Sequence, residues 1–260
     1  MKIRVKFQKF GVLQYIGHLD LMRYFQKIMR RAEIPVAFSG GFSPHMIMSF
    51  AQPLGIGITS EAEYLDVNLS ETMDVAEIHT RLDQYNVDGI VVVSVVSIPE
   101  EKKYSAMASV SAASYICSIE KTLLPYTDVE LQAKTDIFLN AAEILIQKKT
   151  KRSEAIVDIK PMIYSCSLIH PSNSHEASHF EEAYHSDEAY GSYDSYNADN
   201  SYRWLMTLAH GSVENLKPTL VMDALLHECA CDPAQCLVKI HRTELYTGNK
   251  DQLIPLDCYK

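Results

Sequence analysis

Between Lys2 and Ile98 the hydrophobic period switches from two to 3.6 and back, and this switching commits the chain to mixed helix and strand. Ile3, Val5 and Phe7 alternate with Arg4, Lys6 and Gln8, so Lys2–Lys9 reads as a strand with an apolar face and a wet basic face. A helix follows from about Leu19 to Ala32. Leu21, Phe25, Ile28 and Met29 share one side of it, with Arg23, Lys27, Arg30 and Arg31 turned outward. Pro35 stops this helix, Val36–Phe38 begins a short strand, and Gly40-Gly41 supplies a turn. His45–Ala51 and Glu63–Asn68 read as strands, and Asp74–Tyr85 as a helix through Val75, Ile78 and Leu82. Ile90–Ile98 reads as a β-branched strand. The order β-α-β-β-α-β is the ferredoxin-like arrangement.

The second half predicts the same order. Ser114–Ile119 is a strand and Asp136–Gln147 a helix through Ile137, Ala141, Ile144 and Leu145. Ala155–Ile159 and Ile163–Ile169 form a hairpin around Lys160-Pro161. Arg203–Ala209, Pro218–His227 and Leu237–Arg242 follow as strand, helix and strand. The expected fold class is therefore α+β: two tandem ferredoxin-like modules with antiparallel sheets, at residues 1–105 and 106–260. Ser172–Ser201 is rich in Ser, Tyr, Asp, Glu, His and Asn and poor in aliphatic residues. It reads as a flexible acidic insertion, with His175, His179 and His185 as loop residues and not metal ligands.

The six cysteines match no disulfide framework. Cys229, Cys231 and Cys236, even with His227, lack the spacing of a zinc or iron–sulfur site, so no metal and no cofactor is expected. No apolar run approaches the length of a membrane span, and the Met1–Val5 start is strand-like and unlike a signal peptide, which predicts a cytoplasmic protein without a membrane partner. Net charge is −9, but its placement is uneven. Residues 1–52 carry eight cations against two acids, whereas residues 172–200 carry seven acids and no Lys or Arg. A polyanion partner for the N-terminal face is compatible with that distribution.

The residues that could carry chemistry concentrate in the same N-terminal region. Gly17-His18-Leu19-Asp20 opens the first helix, where Asp20 can favour the helix dipole, cap free N–H groups or pair with Arg23. His18 can meet an anion or move a proton there. Ser39-Gly40-Gly41-Phe42-Ser43-Pro44-His45 concentrates donors able to cradle an oxyanion, with Phe42 expected to cap the core more readily than to stack on a base. Met46, Met48 and Phe50 read as core residues of the next strand. Pro53–Gly57 forms a second loop, followed by Glu61, Glu63 and Asp66. The run Lys148-Lys149-Thr150-Lys151-Arg152 reads as a solvated helix end, or as part of an electropositive clamp with Arg4, Lys6, Arg30, Arg31, Lys160 and Lys217.

The segments K-F-x-K-F-G-x-L-Q-Y-I-G-H-L-D-L-M-R (6–23), R-R-A-x-I-P-V-A-F-S-G-G-F-S-P-H-x-x-M-S-F-A-x-P-L-G-I-G (30–57) and E-Y-L-D (63–66) closely resemble the N-terminal part of the radical-SAM-linked protein family. VDIKP at 157–161, G-S-x-x-N-L-K-P at 211–218 and IHRTEL at 240–245 agree more loosely. Members of that family stand alone or follow a radical SAM domain. This chain has no cluster-binding cysteine motif and is similar to the stand-alone kind. The resemblance implies a radical SAM protein as partner and assigns no catalytic residue. Three functions follow as expectations. The first is a non-catalytic accessory that binds structured, tRNA-like RNA or presents substrate. The second is a metal-independent RNA-processing enzyme using His18 and His45. The third is a protein-interaction module that holds the radical SAM partner through the Gly40–Gly57 surface.

Overall fold

A computed structural model describes residues 1–149, 154–169, 200–211 and 214–258. The protein is mixed α/β, with mostly antiparallel strands and few helices. The chain divides into two units. The first takes Met1–Ala113, Gly211–Val213 and His241–Lys260, and the second Ser114–His210 and Glu214–Ile240. The first unit therefore recruits the end of the sequence in addition to its N-terminal stretch.

In the first unit the order is β1 (Lys2–Lys9), α1 (His18–Arg31), β2 (Met48–Phe50), β3 (Thr59–Asn68), α2 (Val75–Asp83), β4 (Ile90–Ile98) and the short α3 (Ala106–Ser109). β1 lies between β4 and β3, antiparallel to both, and β2 pairs antiparallel with β3. Thr59 and Ser60 at the start of β3 also pair in parallel with His241 and Arg242 of β10 (Lys239–Asn249). β10 continues into a hairpin with β11 (Gln252–Pro255). The expected strand Val36–Phe38 is reduced to isolated bridges, Val36 to Leu69 and Phe38 to Met46, and His45–Ala51 is regular only over β2.

One face of this sheet is closed by the helices. Ile3, Val5 and Phe7 of β1 join Leu21, Phe25, Ile28 and Met29 of α1 and Ile78 and Leu82 of α2 in a single core. Phe7 and Phe25 meet at 4.6 Å between ring centroids. Burying each such side chain contributes roughly 1.5–3 kcal/mol, and the helical spacing of the α1 residues makes that burial simultaneous. Asp74 caps α2, accepting from the N–H groups of Ala76 and Glu77. Gly89 is fixed by geometry: its φ is +95°, a Cβ there would lie 2.8 Å from the Phe10 carbonyl oxygen, and its own carbonyl accepts from the Phe10 N–H at 2.9 Å.

The second unit contains β5 (Ala112–Glu120), α4 (Asp128–Asn140), β6 (Leu145–Lys149), β7 (Glu154–Asp158), β8 (Ile163–Ile169), β9 (Ser201–Ala209) and α5 (Pro218–Glu228). Here two expectations are corrected. The helix runs Asp128–Asn140 and not Asp136–Gln147, because Thr127 and Glu130 form a reciprocal capping box that starts it earlier. Leu145–Lys149 is then free to be a strand, so Lys148 and Lys149 belong to β6 and do not end a helix. The hairpin around Lys160-Pro161 is also absent: β7 pairs with β6, and β8 pairs with β9. β9 lies between β5 and β8. Thr150, Lys151 and Arg152, and the acidic insertion with His175, His179 and His185 up to residue 199, lie outside the described residues.

Candidate functional site

The polar side chains of β1 do not form the wet face that their alternation predicts. Arg4 is fully buried. Its Nε donates to Asp66 Oδ1 at 2.7 Å and its Nη2 to Asp66 Oδ2 at 3.2 Å, while Nη1 and Nη2 donate to the carbonyls of Leu256 and Tyr104. Asp66, on β3 directly opposite Arg4, also accepts from the Ala106 N–H at 2.8 Å and lies 3.4 Å from Lys2 Nζ. A buried charge requires this degree of pairing. Lys6, half-buried, donates to Glu244 at 2.7 Å and lies 3.6 Å from Asp257. The Tyr64 hydroxyl donates to the same two carboxylates. Burial alone would depress the Lys6 amine, but Glu244 and Asp257 outweigh it and hold the amine above its ordinary value. The Tyr64 phenol is pushed up by burial and by those carboxylates.

A second ionic group gathers where β1 ends and β3 begins. Glu63 lies opposite Phe7 and is buried, with Arg242 of β10 paired to it through Nη2. Arg242 Nη1 donates to the Gln52 carbonyl at 2.9 Å, and its buried Nε has no acceptor. Lys9 is buried beside them. Burial pushes its amine below the ordinary lysine value; Glu63 opposes that shift and Arg242 adds to it. The neighbouring His241 has Nδ1 2.8 Å from the Thr59 hydroxyl and Nε2 3.1 Å from Glu61.

The outer surface at this end carries the rest of the signature. The Gly57 N–H donates to the Gln14 carbonyl at 2.9 Å, tying the Pro53–Gly57 loop to the turn before α1. Val12, Tyr15, Leu19 and Ile56 are 75, 65, 69 and 67% exposed. His18 is exposed, with its ring edge-on to Phe50 at 5.2 Å. Asp20 accepts from Arg23 at 3.0 Å on the surface and does not cap the helix, whose first residue follows the side-chain-free Gly17. Lys27, Arg30 and Arg31 are exposed on α1.

In the second signature loop, Gly40, Gly41, Phe42, Ser43 and His45 are all exposed. His45 Nδ1 is 2.8 Å from the Ser39 hydroxyl, which also accepts from the His45 N–H. Phe42 is completely exposed and caps no core, whereas Met46 and Phe50 are buried in it. No hydrogen bond or ring contact joins His18 to His45 among the described residues. Lys160 belongs to the second unit, where its ammonium donates to the Ala141 carbonyl at the end of α4.

The structure thus brings together residues that reasoning from sequence only noted in passing. Lys9, Glu61, Glu63, His241 and Arg242 come from three separated stretches of the sequence, and each stretch's side chains are legible only as local strand pattern. A further concavity in the second unit, about 550 Å³, is lined by Phe138, Ile144, Ile146, Leu220, Asp223 and His227. Burial raises the Asp223 carboxyl there, with His227 opposing. Among the described residues no group of three or more His, Cys, Asp or Glu side chains is placed to hold a metal ion, and no helix is long and apolar enough to cross a membrane.

No curated protein matches the chain. The family described as "Uncharacterized protein conserved in bacteria (DUF2344)" matches residues 2–218, a span that includes β1, α1, both signature loops and β3, and the chain belongs to that family.

Proposed function

We propose that the protein is a non-catalytic accessory of a radical SAM enzyme and that it binds this partner through the end of the first unit formed by the turn before α1, the start of α1 and the Pro53–Gly57 loop. The observation that carries the reading is the exposure of Val12, Tyr15, Leu19 and Ile56 around the Gly57–Gln14 hydrogen bond. Four large apolar side chains held in water by ordered backbone are characteristic of a surface that another protein covers. The choice of partner rests on the family resemblance of residues 6–66. A ferredoxin-like plan is proposed for the first unit, consistent with β4-β1-β3 and β2 on β3. The second unit departs from that plan through its separate β6–β7 pair.

The test is pull-down of purified radical SAM proteins from the source organism on the immobilised chain, comparing wild type with Tyr15→Ser/Leu19→Asp. Capture that falls at least tenfold in the variant is expected. Equal capture by both, or none by either, sinks the proposal.

A second reading, RNA binding, is favoured by Lys27, Arg30 and Arg31, which form an exposed cationic row on α1 without ion-pair partners among the described residues. Arg4 and Lys6, however, are neutralised by Asp66, Glu244 and Asp257, so the available charge is smaller than the sequence count suggests. Filter binding of tRNA at low salt, lost in Arg30→Ala/Arg31→Ala, would support this role. Binding unchanged in that variant would remove it.

A further inference from the structure

The ionic group at the end of β1 is not balanced. Lys9 and Arg242 are 2% and 1% exposed, and Glu63 is the one acid among the groups acting on Lys9. Arg242 satisfies Nη1 on a carbonyl and Nη2 on Glu63, but its Nε is enclosed and has no acceptor. No hydrogen bond or ion pair among the described residues reaches the Lys9 amine. By contrast, Arg4 has an acceptor for Nε, Nη1 and Nη2. The same sheet therefore contains one guanidinium with an acceptor at every nitrogen, Arg4, and one without, Arg242. An enclosed guanidinium N–H without an acceptor costs about 1–3 kcal/mol or more. Glu63 brings one negative charge to two buried cations, Arg242 and Lys9.

We propose that Lys9 and Arg242 form an oxyanion-binding site, taking a carboxylate or phosphate group that supplies the missing negative charge and acceptors. The surroundings suit such a ligand. Gly11 two residues after Lys9, and Gly55 and Gly57 shortly before β3, are exposed and carry no side chain. The Gln52 carbonyl holds Arg242 in place from the same loop. Nothing that defines the site depends on the identity of any protein partner. The site also gives a role to Lys9 of K-F-x-K-F-G and Arg242 of I-H-R-T-E-L, segments far apart in sequence that are also joined by the Lys6–Glu244 pair.

The test uses the full chain, titrated calorimetrically with inorganic phosphate and separately with succinate, at fixed ionic strength made up with chloride. Saturable binding of at least one probe is expected, with at least a tenfold loss in Lys9→Met and retention within threefold in Lys9→Arg. The probe that binds distinguishes a phosphate from a carboxylate ligand. Without any probe, Lys9→Met is expected to melt no lower than wild type, because it removes one of two buried cations that share Glu63 and leaves the Glu63–Arg242 pair and the packing in place. Absence of saturable binding by either probe, equal binding by Lys9→Met, or a lower melting temperature for Lys9→Met each overturns the proposal, the last by making Lys9 a structural cation.

Discussion

Replacing Asp66 by alanine isolates the energetics of the buried face. Four donor groups converge on this carboxylate: Arg4 Nε and Nη2, the Ala106 N–H and the Lys2 ammonium. Arg4 would keep only its bonds to the carbonyls of Leu256 and Tyr104, which carry no charge to balance it. Removing one member of a buried ion pair costs about 3–5 kcal/mol, because the other charge stays enclosed. That range is a factor of about 10² to 10⁴ in the folding equilibrium. The double variant Arg4→Met/Asp66→Leu removes both charges and should recover most of the loss, since apolar replacement of a buried pair is often neutral or stabilising. Urea denaturation followed by circular dichroism measures both, with an unchanged m-value ensuring that a midpoint shift reports stability. A cost below about 1 kcal/mol for Asp66→Ala, or a double variant no more stable than the single, would refute the argument that Arg4 is held in the interior by this carboxylate.

Gly89→Ala should cost about 1–3 kcal/mol, since its φ is +95° and the added methyl would lie 2.8 Å from the Phe10 carbonyl oxygen; thermal melting checks it. Thr127→Ala removes the capping box of α4 and should cost about 1 kcal/mol. It can be followed through Trp204, whose indole N–H donates to Thr135 on that helix at 3.1 Å. Burial pushes the Cys229 thiol up to about 11 from an ordinary 9.0, so its stabilising contribution is complete below pH 9 and is lost as pH rises toward 11. Iodoacetamide at pH 8 should accordingly modify the exposed Cys258 first, and Cys229 labelling of the native protein should climb about tenfold per pH unit toward 11. Early labelling of Cys229 at pH 8 would contradict its burial.

Much of the first unit is legible in the sequence because its signals are local. Leu21, Phe25, Ile28 and Met29 announce α1, and all four are buried. The alternation in β1 is equally clear, yet it misleads about solvent, because the groups that bury Arg4 and Lys6 come from 62 and 238 residues away. One-dimensional pattern cannot distinguish a charge facing water from a charge facing a distant carboxylate. In the second unit a stronger local signal competes with the apolar spacing: Thr127-Asp128-Val129-Glu130 is a capping-box sequence, and it places the start of α4 where the structure has it. The apolar spacing of Ile137, Ile144 and Leu145 that points further along is accidental, since Ile137 and Leu145 are exposed. The candidate site divides in the same way. The exposed residues His18, Phe42 and His45 are visible as motif, whereas the Lys9–Glu63–Arg242 group exists only once β10 has joined β3.

That joining sets a timetable for the newly made chain. Lys6 and Glu244 are separated by 238 residues, so at about 5–20 residues per second a ribosome needs roughly 10–50 s to deliver the carboxylate after the lysine has emerged. Throughout that interval the strands of the first unit can pair and their apolar face can close under α1, while Lys6 has no Glu244 or Asp257 and Arg242 has yet to reach Glu63. The nascent unit therefore passes through a stage in which its cationic sheet face is open to water and to passing polyanions. Synthesis of residues 241–257 ends that stage by sealing the face from within.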